Sequence, residues 1–360
     1  MIDIKSLTIP EIEEFIQNLG QPKFRAKQIA DWLGKGVCSF EDMRNLPANL
    51  ITKLPQYCYI SVATIEKKLI SRYDKTVKYL FSFNDGECVE SVVMKYHHGY
   101  TICISTQVGC RMGCTFCATG QQGLTRVLTS GEMLAQIETA QRDLGVRISN
   151  VVLMGMGEPL DNFSNVVKFL QLVSMKNGLN IGGRHITLST CGVVPNIYKL
   201  ADMGFQLTLS ISLHAPDDEI RSRTMPINKA YNIEELMAAV RYYIKKTSRR
   251  VSFEYAMIDG VNDTDECANK LGRLIQGMLC HVNLIPVNSV KGTSYRKSNG
   301  DRLRKFTENL AKYGITATVR RTLGSDIDAS CGQLKGKYRE ENKADDTKVR
   351  KIPNSVLKAE

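Results

Sequence analysis

Gly109-Cys-Arg-Met-Gly-Cys-Thr-Phe-Cys117, preceded by the apolar run Tyr100-Thr-Ile-Cys-Ile-Ser105, decides how the rest of this chain is read. Its C-x3-C-x2-C spacing offers three thiolates and stops. A structural zinc site wants four protein ligands in a tetrahedron, and ordinary iron–sulfur electron carriers also supply four cysteines. Three cysteines on a loop after a strand leave one iron of a 4Fe–4S cluster without a protein thiolate. Such an open position is where a substrate or cofactor can bind the metal.

Outward from this loop, apolar runs alternate with amphipathic ones. Strands are expected at 101–106, 150–154, 185–190, 206–213, 251–258, 281–286 and 315–320, and helices at 130–144, 162–174, 194–203, 233–247, 263–277 and 300–313. That is a βα repeat, which builds a parallel sheet. About six units are too few for the eight-fold barrel. An α/β fold is therefore expected, with a partial (βα)6 barrel spanning residues 96–334 whose open side would admit a macromolecule.

Residues 1–60 carry helical periodicity broken at Gly20-Gln-Pro22 and Gly34-Lys-Gly36 and read as a small helical accessory domain. It is either an RNA-contacting unit or a structural cap. Short strand-like runs at 65–70, 77–83 and 88–94 make residues 61–95 a β-meander. The polar stretch 335–360 is expected to be a mobile tail.

Composition narrows the class. A net charge of +11 and a pI near 9.1 suit a polyanionic partner, most plausibly nucleic acid, and equally a merely basic enzyme. No apolar run is long enough to span a membrane, and the N-terminus lacks the layout of a signal peptide. A cytoplasmic location, a monomer and no membrane partner are expected. Eleven cysteines without a secretion signal argue against a disulfide framework. Cys38, Cys58, Cys267 and Cys280 read as filler, and Cys191 as packing.

In parallel α/β barrels, reacting groups gather at the C-terminal strand ends. The cysteine loop, Met154-Gly-Met-Gly-Glu-Pro159, Ser189-Thr-Cys-Gly192, Ser212-Leu-His214 and Ile285-Pro-Val-Asn288 all fall there. Gly157 and Glu158 occupy a close-approach turn suited to hydrogen-bonding the amino group of a bound amino acid. Each cluster alone reads as an ordinary turn or a core histidine; together with the three-cysteine motif they resemble the site of the radical S-adenosylmethionine (SAM) superfamily, which implies a binding site for SAM.

These residues carry a resemblance to a known family. With Cys103-Ile-Ser-Thr-Gln-Val-Gly-Cys110, Met154-Gly-Met-Gly-Glu-Pro-Leu-Asp-Asn162, Ser212-Leu-His-Ala215, Met225-Pro-Ile-Asn228 and Asp326-Ile-Asp-Ala-Ser-Cys-Gly-Gln-Leu334, the chain resembles the RlmN/Cfr family of radical SAM RNA adenosine methyltransferases over essentially its whole length. The resemblance implies that Cys110, Cys114 and Cys117 hold one 4Fe–4S cluster. It implies SAM contacts from Gly157, Glu158, Ser189, Ser212, Leu213, His214 and Asn288. Cys331 becomes the methyl-carrying cysteine, Cys103 its transient disulfide partner and Glu90 the proton acceptor.

The chemistry explains the need for two cysteines. C2 and C8 of adenine are electron-poor carbons and cannot attack the methyl of SAM, whereas a thiolate can. By the resemblance, one SAM methylates Cys331 and a second yields a 5′-deoxyadenosyl radical, so two are consumed per methylation. On local sequence alone, however, Cys331 reads as a buried loop cysteine, Cys103 as core and Glu90 as a surface acid.

Gly157-Glu-Pro-Leu-Asp-Asn162 and Ser189-Thr-Cys-Gly-Val-Val-Pro195 are similar to the RlmN branch. That branch methylates C2 of adenosine 2503 in 23S rRNA and of adenosine 37 in tRNAs, with electrons from a flavodoxin or ferredoxin system. The Cfr-type branch methylates C8 of the same rRNA adenosine. A reading from another class is a non-catalytic iron–sulfur RNA-binding protein, which explains the charge and three cysteines but not the SAM-site clusters.

Overall fold

Ten strands form one sheet, and its order shows what the alternation builds. The structure is a computed structural model that describes residues 1–288, 292–321, 323–327 and 334. The chain opens with β1 (Ile2–Asp3), α1 (Ile9–Asn18), α2 (Phe24–Gly34), α3 (Ala48–Lys53) and β2 (Cys58–Tyr59), with β1 and β2 paired in parallel. Ile12, Ile16, Ile29, Leu50 and Leu54 give this unit a core of its own. A capping box at Thr8 and Glu11 starts α1, and Pro47 stands just outside α3 as its N-cap.

Next come β3 (Thr64–Ile70), β4 (Val77–Ser82), β5 (Cys88–Tyr96) and β6 (Gly99–Cys103), joined antiparallel. Then β7 (Gln107–Cys110) and β8 (Gly123–Val127) pair with each other as a separate ribbon. The repeat follows: α4 (Ser130–Leu144), β9 (Ile148–Leu153), α5 (Phe163–Val173), β10 (Ile186–Thr190), α6 (Val194–Asp202), β11 (Thr208–Ser212), α7 (Asp218–Thr224), α8 (Ile233–Thr247), β12 (Val251–Met257), α9 (Asp265–Ile275), β13 (Cys280–Pro286), α10 (Gly300–Ala311) and β14 (Ala317–Val319).

The sheet runs β14-β13-β12-β11-β10-β9-β6-β5-β4-β3, with every neighbouring pair from β6 to β14 parallel. This is the expected open barrel, with two differences. The meander continues the barrel sheet through β5–β6, and the first cysteine lies in the β7–β8 ribbon rather than directly after a barrel strand. Tyr79, Phe81, Val89, Val93 and Ile102 face the main core with Met133 and Ile137 of α4.

The opposite face of the meander is buried as well. Register puts Leu80 opposite Glu90, Lys78 opposite Val92, and Val92 opposite Cys103. Leu323 packs against Val92, Met94 and Cys103, while Leu334 packs against Leu80 and Cys88. Gly324 N donates to Asp74 Oδ2 at 2.8 Å and Arg72 N to Asp326 Oδ2 at 2.9 Å. Cys331 and the 335–360 tail lie outside the described residues. No helix among the described residues is long and apolar enough to cross a membrane.

Asp3 joins the N-terminal unit to the barrel. Its Oδ2 accepts from Ser6 Oγ and from Thr129 Oγ1, the N-cap of α4, both at 2.7 Å, and its Oδ1 accepts from Ser61 N at 3.3 Å. Asp3→Ala strands several buried donors at once, so it is expected to cost about 3 kcal/mol. Urea unfolding monitored by circular dichroism measures the loss.

Candidate active site

A cavity of about 290 Å³ opens at the C-terminal strand ends. Cys110, Cys114 and Cys117 line it together with Gly157, Glu158, Ser189, Ser212, His214 and Asn288. Of the expected SAM contacts only Leu213 is absent from the lining: its side chain is fully buried in the core. Its backbone N donates to Glu254 O at 3.1 Å.

The turn after β9 lies directly on the segment leaving β6. Gly155 N donates to Ile104 O at 3.0 Å, and Thr106 N donates to Met156 O at 2.8 Å. A Cβ on Gly157, whose φ is +103°, would sit 2.5 Å from Gln107 Cβ; one on Gly155 would sit 2.6 Å from Ile104 O. The protein itself therefore requires both glycines, before any ligand is considered.

This packing fixes Glu158. Its N–H donates to Gln107 Oε1 at 2.9 Å, while its carboxylate accepts from Leu160 N at 2.9 Å and Cys191 N at 2.7 Å. Burial pushes this carboxyl above its ordinary range, against the opposing pull of those hydrogen bonds. The Thr190 and Cys191 side chains also hydrogen-bond this carboxylate, which fixes it in the cavity lining. Cys191, expected only to pack, also lines the cavity and holds Glu158 through its backbone.

Burial likewise pushes the Cys110 thiol up to about 12 and raises Cys114. Such thiols become ligands only where a metal displaces their protons. Among the described residues, no three His, Cys, Asp or Glu side chains converge as a single metal ion would require. A 4Fe–4S cluster makes no such demand, because each cysteine binds a different iron. Three thiols lining one cavity fit it. The loop is held from outside the ribbon: Thr115 N donates to Thr224 O at 3.0 Å, and the Phe116 ring meets His214 edge-on at 4.9 Å.

His214 adopts φ +55°, a strained conformation for a non-glycine residue. Its Nδ1 accepts from Ala256 N at 2.9 Å, and its carbonyl accepts from Asn262 Nδ2 at 2.8 Å. Beside it, Ser189 Oγ and Ser212 Oγ are 3.3 Å apart. Glu254, Arg320, Phe116 and Met225 also line the cavity and were not anticipated. An acid in the middle of the apolar run Val251-Ser-Phe-Glu-Tyr-Ala-Met257 was a legible signal. Glu254 Oε1 accepts from Ser210 at 2.7 Å, Ser252 at 3.2 Å and Asn283 at 2.9 Å.

Cys103 and Glu90 stand outside this lining. Cys103 is buried at the end of β6 and packs near Met154, which lines the cavity. Glu90, far from being a surface acid, is buried with Lys78 Nζ 2.9 Å from its Oε2.

Residues 104–270 match the model of the Radical SAM superfamily, and residues 2–60 that of the Ribosomal RNA large subunit methyltransferase N-terminal domain. The chain is 56% identical to the probable dual-specificity RNA methyltransferase RlmN of Alkaliphilus oremlandii, over 94% of this chain and 98% of that protein. It is 51% identical to the protein of the same description from Clostridium tetani, over 95% and 98%. A crystal structure of a radical SAM methyltransferase from Sphaerobacter thermophilus aligns with a TM-score of 0.87 at 43% identity, covering 92% of this chain and 99% of that one.

The His214 environment predicts a pH effect. Burial, then the Arg221 charge, lowers its value from 6.5 to about 3. The unfolded chain therefore binds this proton more tightly than the folded one, so stability from this group is complete above about 6.5 and lost as pH falls toward 3. Between those values the slope approaches about 1.4 kcal/mol per pH unit. Urea unfolding from pH 7 to 5 should show the slope growing toward that limit in the wild type and a flatter profile in His214→Gln.

Proposed function

The chain belongs to the RlmN family of radical SAM RNA methyltransferases, and from that membership we propose that it methylates C2 of adenosine 2503 in 23S rRNA and of adenosine 37 in tRNAs. The observation that carries this reading is the single cavity uniting the cysteine triplet with the glycine turn, the serines and His214. The names of the relatives, dual-specificity RNA methyltransferases, support two RNA substrates.

In this reading Cys110, Cys114 and Cys117 hold the 4Fe–4S cluster. Gly157, Glu158, Ser189, Ser212, His214 and Asn288 hold SAM, while Leu213, whose N–H donates to Glu254 O and whose carbonyl accepts from Arg221, positions its neighbours Ser212 and His214. When bound, cluster and SAM would supply an electrophilic methyl group, a 5′-deoxyadenosyl radical after one-electron reduction, and an acceptor for the unpaired electron that the RNA adduct gives up. Glu158 sets its carboxylate against the ligand's ammonium.

Cys331 carries the methyl on its sulfur and becomes joined to the adenine carbon through it. Glu90 removes the ring proton, its carboxylate held in place by Lys78. Cys103 then loses its thiol proton and attacks the Cys331 sulfur: an S–S bond forms, the C–S bond breaks, and its electron pair stays on the carbon, which takes up one proton to become the new methyl. A dithiol reductant resets the disulfide. Support for bringing these residues together comes from the packing of Leu323 against Cys103 and of Leu334 beside Leu80, the register partner of Glu90.

The test is anaerobic reconstitution with SAM, dithionite, and transcripts of a 23S rRNA fragment and a tRNA, followed by mass spectrometry of nucleosides. 2-Methyladenosine is expected in both; 8-methyladenosine as the only product would overturn the C2 assignment. Absence of 5′-deoxyadenosine would favour an RNA-binding iron–sulfur protein. Cys331→Ala is expected to lose more than about 1,000-fold in methylation. Cys103→Ala should instead accumulate a covalent protein–RNA adduct, seen as a shifted band on a denaturing gel.

A further inference from the structure

Met225-Pro-Ile-Asn228 stands out in the sequence, yet the cavity chemistry above makes no use of its last residue. Asn228 is buried and its job is to hold Arg221. Arg221 Nη1 donates to Asn228 Oδ1 at 2.9 Å, and Asn228 Nδ2 donates to Asp218 Oδ1 at 2.8 Å and to Ser222 Oγ at 2.9 Å. Among the described residues Arg221 is the only buried arginine, with no exposed surface.

Its remaining donors go to backbone. Nε donates to Leu213 O at 3.2 Å, and Nη2 donates to Cys191 O at 2.6 Å and Ser212 O at 3.4 Å. A guanidinium taken out of water and given neutral acceptors carries an uncompensated charge. Asp218 meets it only across the Asn228 amide. The carbonyls it gathers belong to the ends of β10 and β11, the strands that deliver Ser189, Cys191, Ser212 and His214 to the cavity. The helix bearing it, α7, also supplies Thr224 O to the cysteine loop through Thr115 N. Both Cys114 and Cys191 feel the Arg221 charge, which opposes the effect of their burial.

We propose that Arg221 is the internal counter-charge of the iron–sulfur cluster, bracing two strand ends and raising the cluster's reduction potential. This rests on the cluster assigned to Cys110, Cys114 and Cys117 in the preceding subsection. In the step concerned, one electron passes from a low-potential one-electron donor to the cluster; no bond forms or breaks and no proton moves. The assembly, already anionic with three thiolates, gains one more negative charge. A fixed cation nearby stabilises that state over the oxidised one, and the fork to three carbonyls holds the cation still.

The measurement is a mediated dithionite titration of the anaerobically reconstituted full chain, with the reduced cluster read by electron paramagnetic resonance and iron content by colorimetry. At the wild-type midpoint, Arg221→Gln should lower the reduced-to-oxidised ratio about tenfold, a shift of about 59 mV for one electron, whereas Arg221→Lys, which keeps the charge but not the fork, should stay within about twofold. Asn228→Asp sets a carboxylate against the guanidinium and should lower the ratio in the same direction. That variant decides the matter if Arg221→Gln does not fold. An unchanged ratio in both charge variants, or an equal fall in Lys and Gln, would overturn the proposal. A wild-type chain that assembles no cluster would instead overturn the functional reading beneath it.

Discussion

Backbone lies on backbone where the turn after β9 crosses the segment leaving β6, and the cavity depends on that contact. With no side chain at 155 or 157, Glu158 N can reach Gln107 Oε1. Gln107 Nε2 in turn donates to Asp161 Oδ2 at 2.8 Å, and Arg111 Nε, from the cysteine loop, donates to the same oxygen at 2.8 Å. One carboxylate oxygen thus ties the strand exit to the loop that carries the metal ligands. Arg111 is largely exposed, so its ion pair contributes little stability in itself. Its geometric effect is to hold the loop against the glycine turn.

The meander gives the sheet two buried faces with different tasks. Alternation sends Tyr79, Phe81, Val89 and Val93 into the apolar core under α4, and sends Lys78, Leu80, Glu90 and Val92 to the other side. A buried Lys–Glu pair is a poor way to stabilise a sheet, since the desolvation of both charges offsets their attraction. An apolar pair would serve packing better at these two positions. The pair therefore points to chemistry on this face, which is also the face that Leu323 and Leu334 cover.

Most of the fold was legible because parallel strands buried on both faces read as continuous apolar runs between amphipathic helices. What hid was whatever depended on distant pairing. Gln107-Val-Gly-Cys110 is too short to announce itself as a strand, and only its partner Gly123–Val127 makes it one. Glu90 looked like a solvent-facing acid because its cation, Lys78, sits on another strand. Arg221 lies in Asp218-Glu-Ile-Arg-Ser-Arg-Thr224, a polar string that reads as an exposed helix face; only the fold reveals that it turns one arginine inward. The cluster triplet and the glycine turn were legible for the opposite reason, being local in sequence. Leu213 failed as a lining residue because alternation along β11 turns its side chain away from the cavity.

The cavity's charge pattern argues for a ligand rich in hydrogen-bond donors. Glu158 and Glu254 both line it, and each is held by hydrogen bonds from the protein. Against them, Arg221 is buried with its fork committed to carbonyls, and Arg320, the residue after β14, is exposed at the lining. A purely anionic ligand would meet two buried carboxylates and three thiols with little to neutralise it. A ligand bringing an ammonium and hydroxyls satisfies the carboxylates, while a cationic metal cluster displaces the thiol protons and neutralises the resulting thiolates in part. These two requirements fall in one cavity, so each ligand supplies part of the other's electrostatic environment. That mutual dependence is why the cysteine triplet, read alone, names a cluster but the whole cavity is needed to name what the cluster works on.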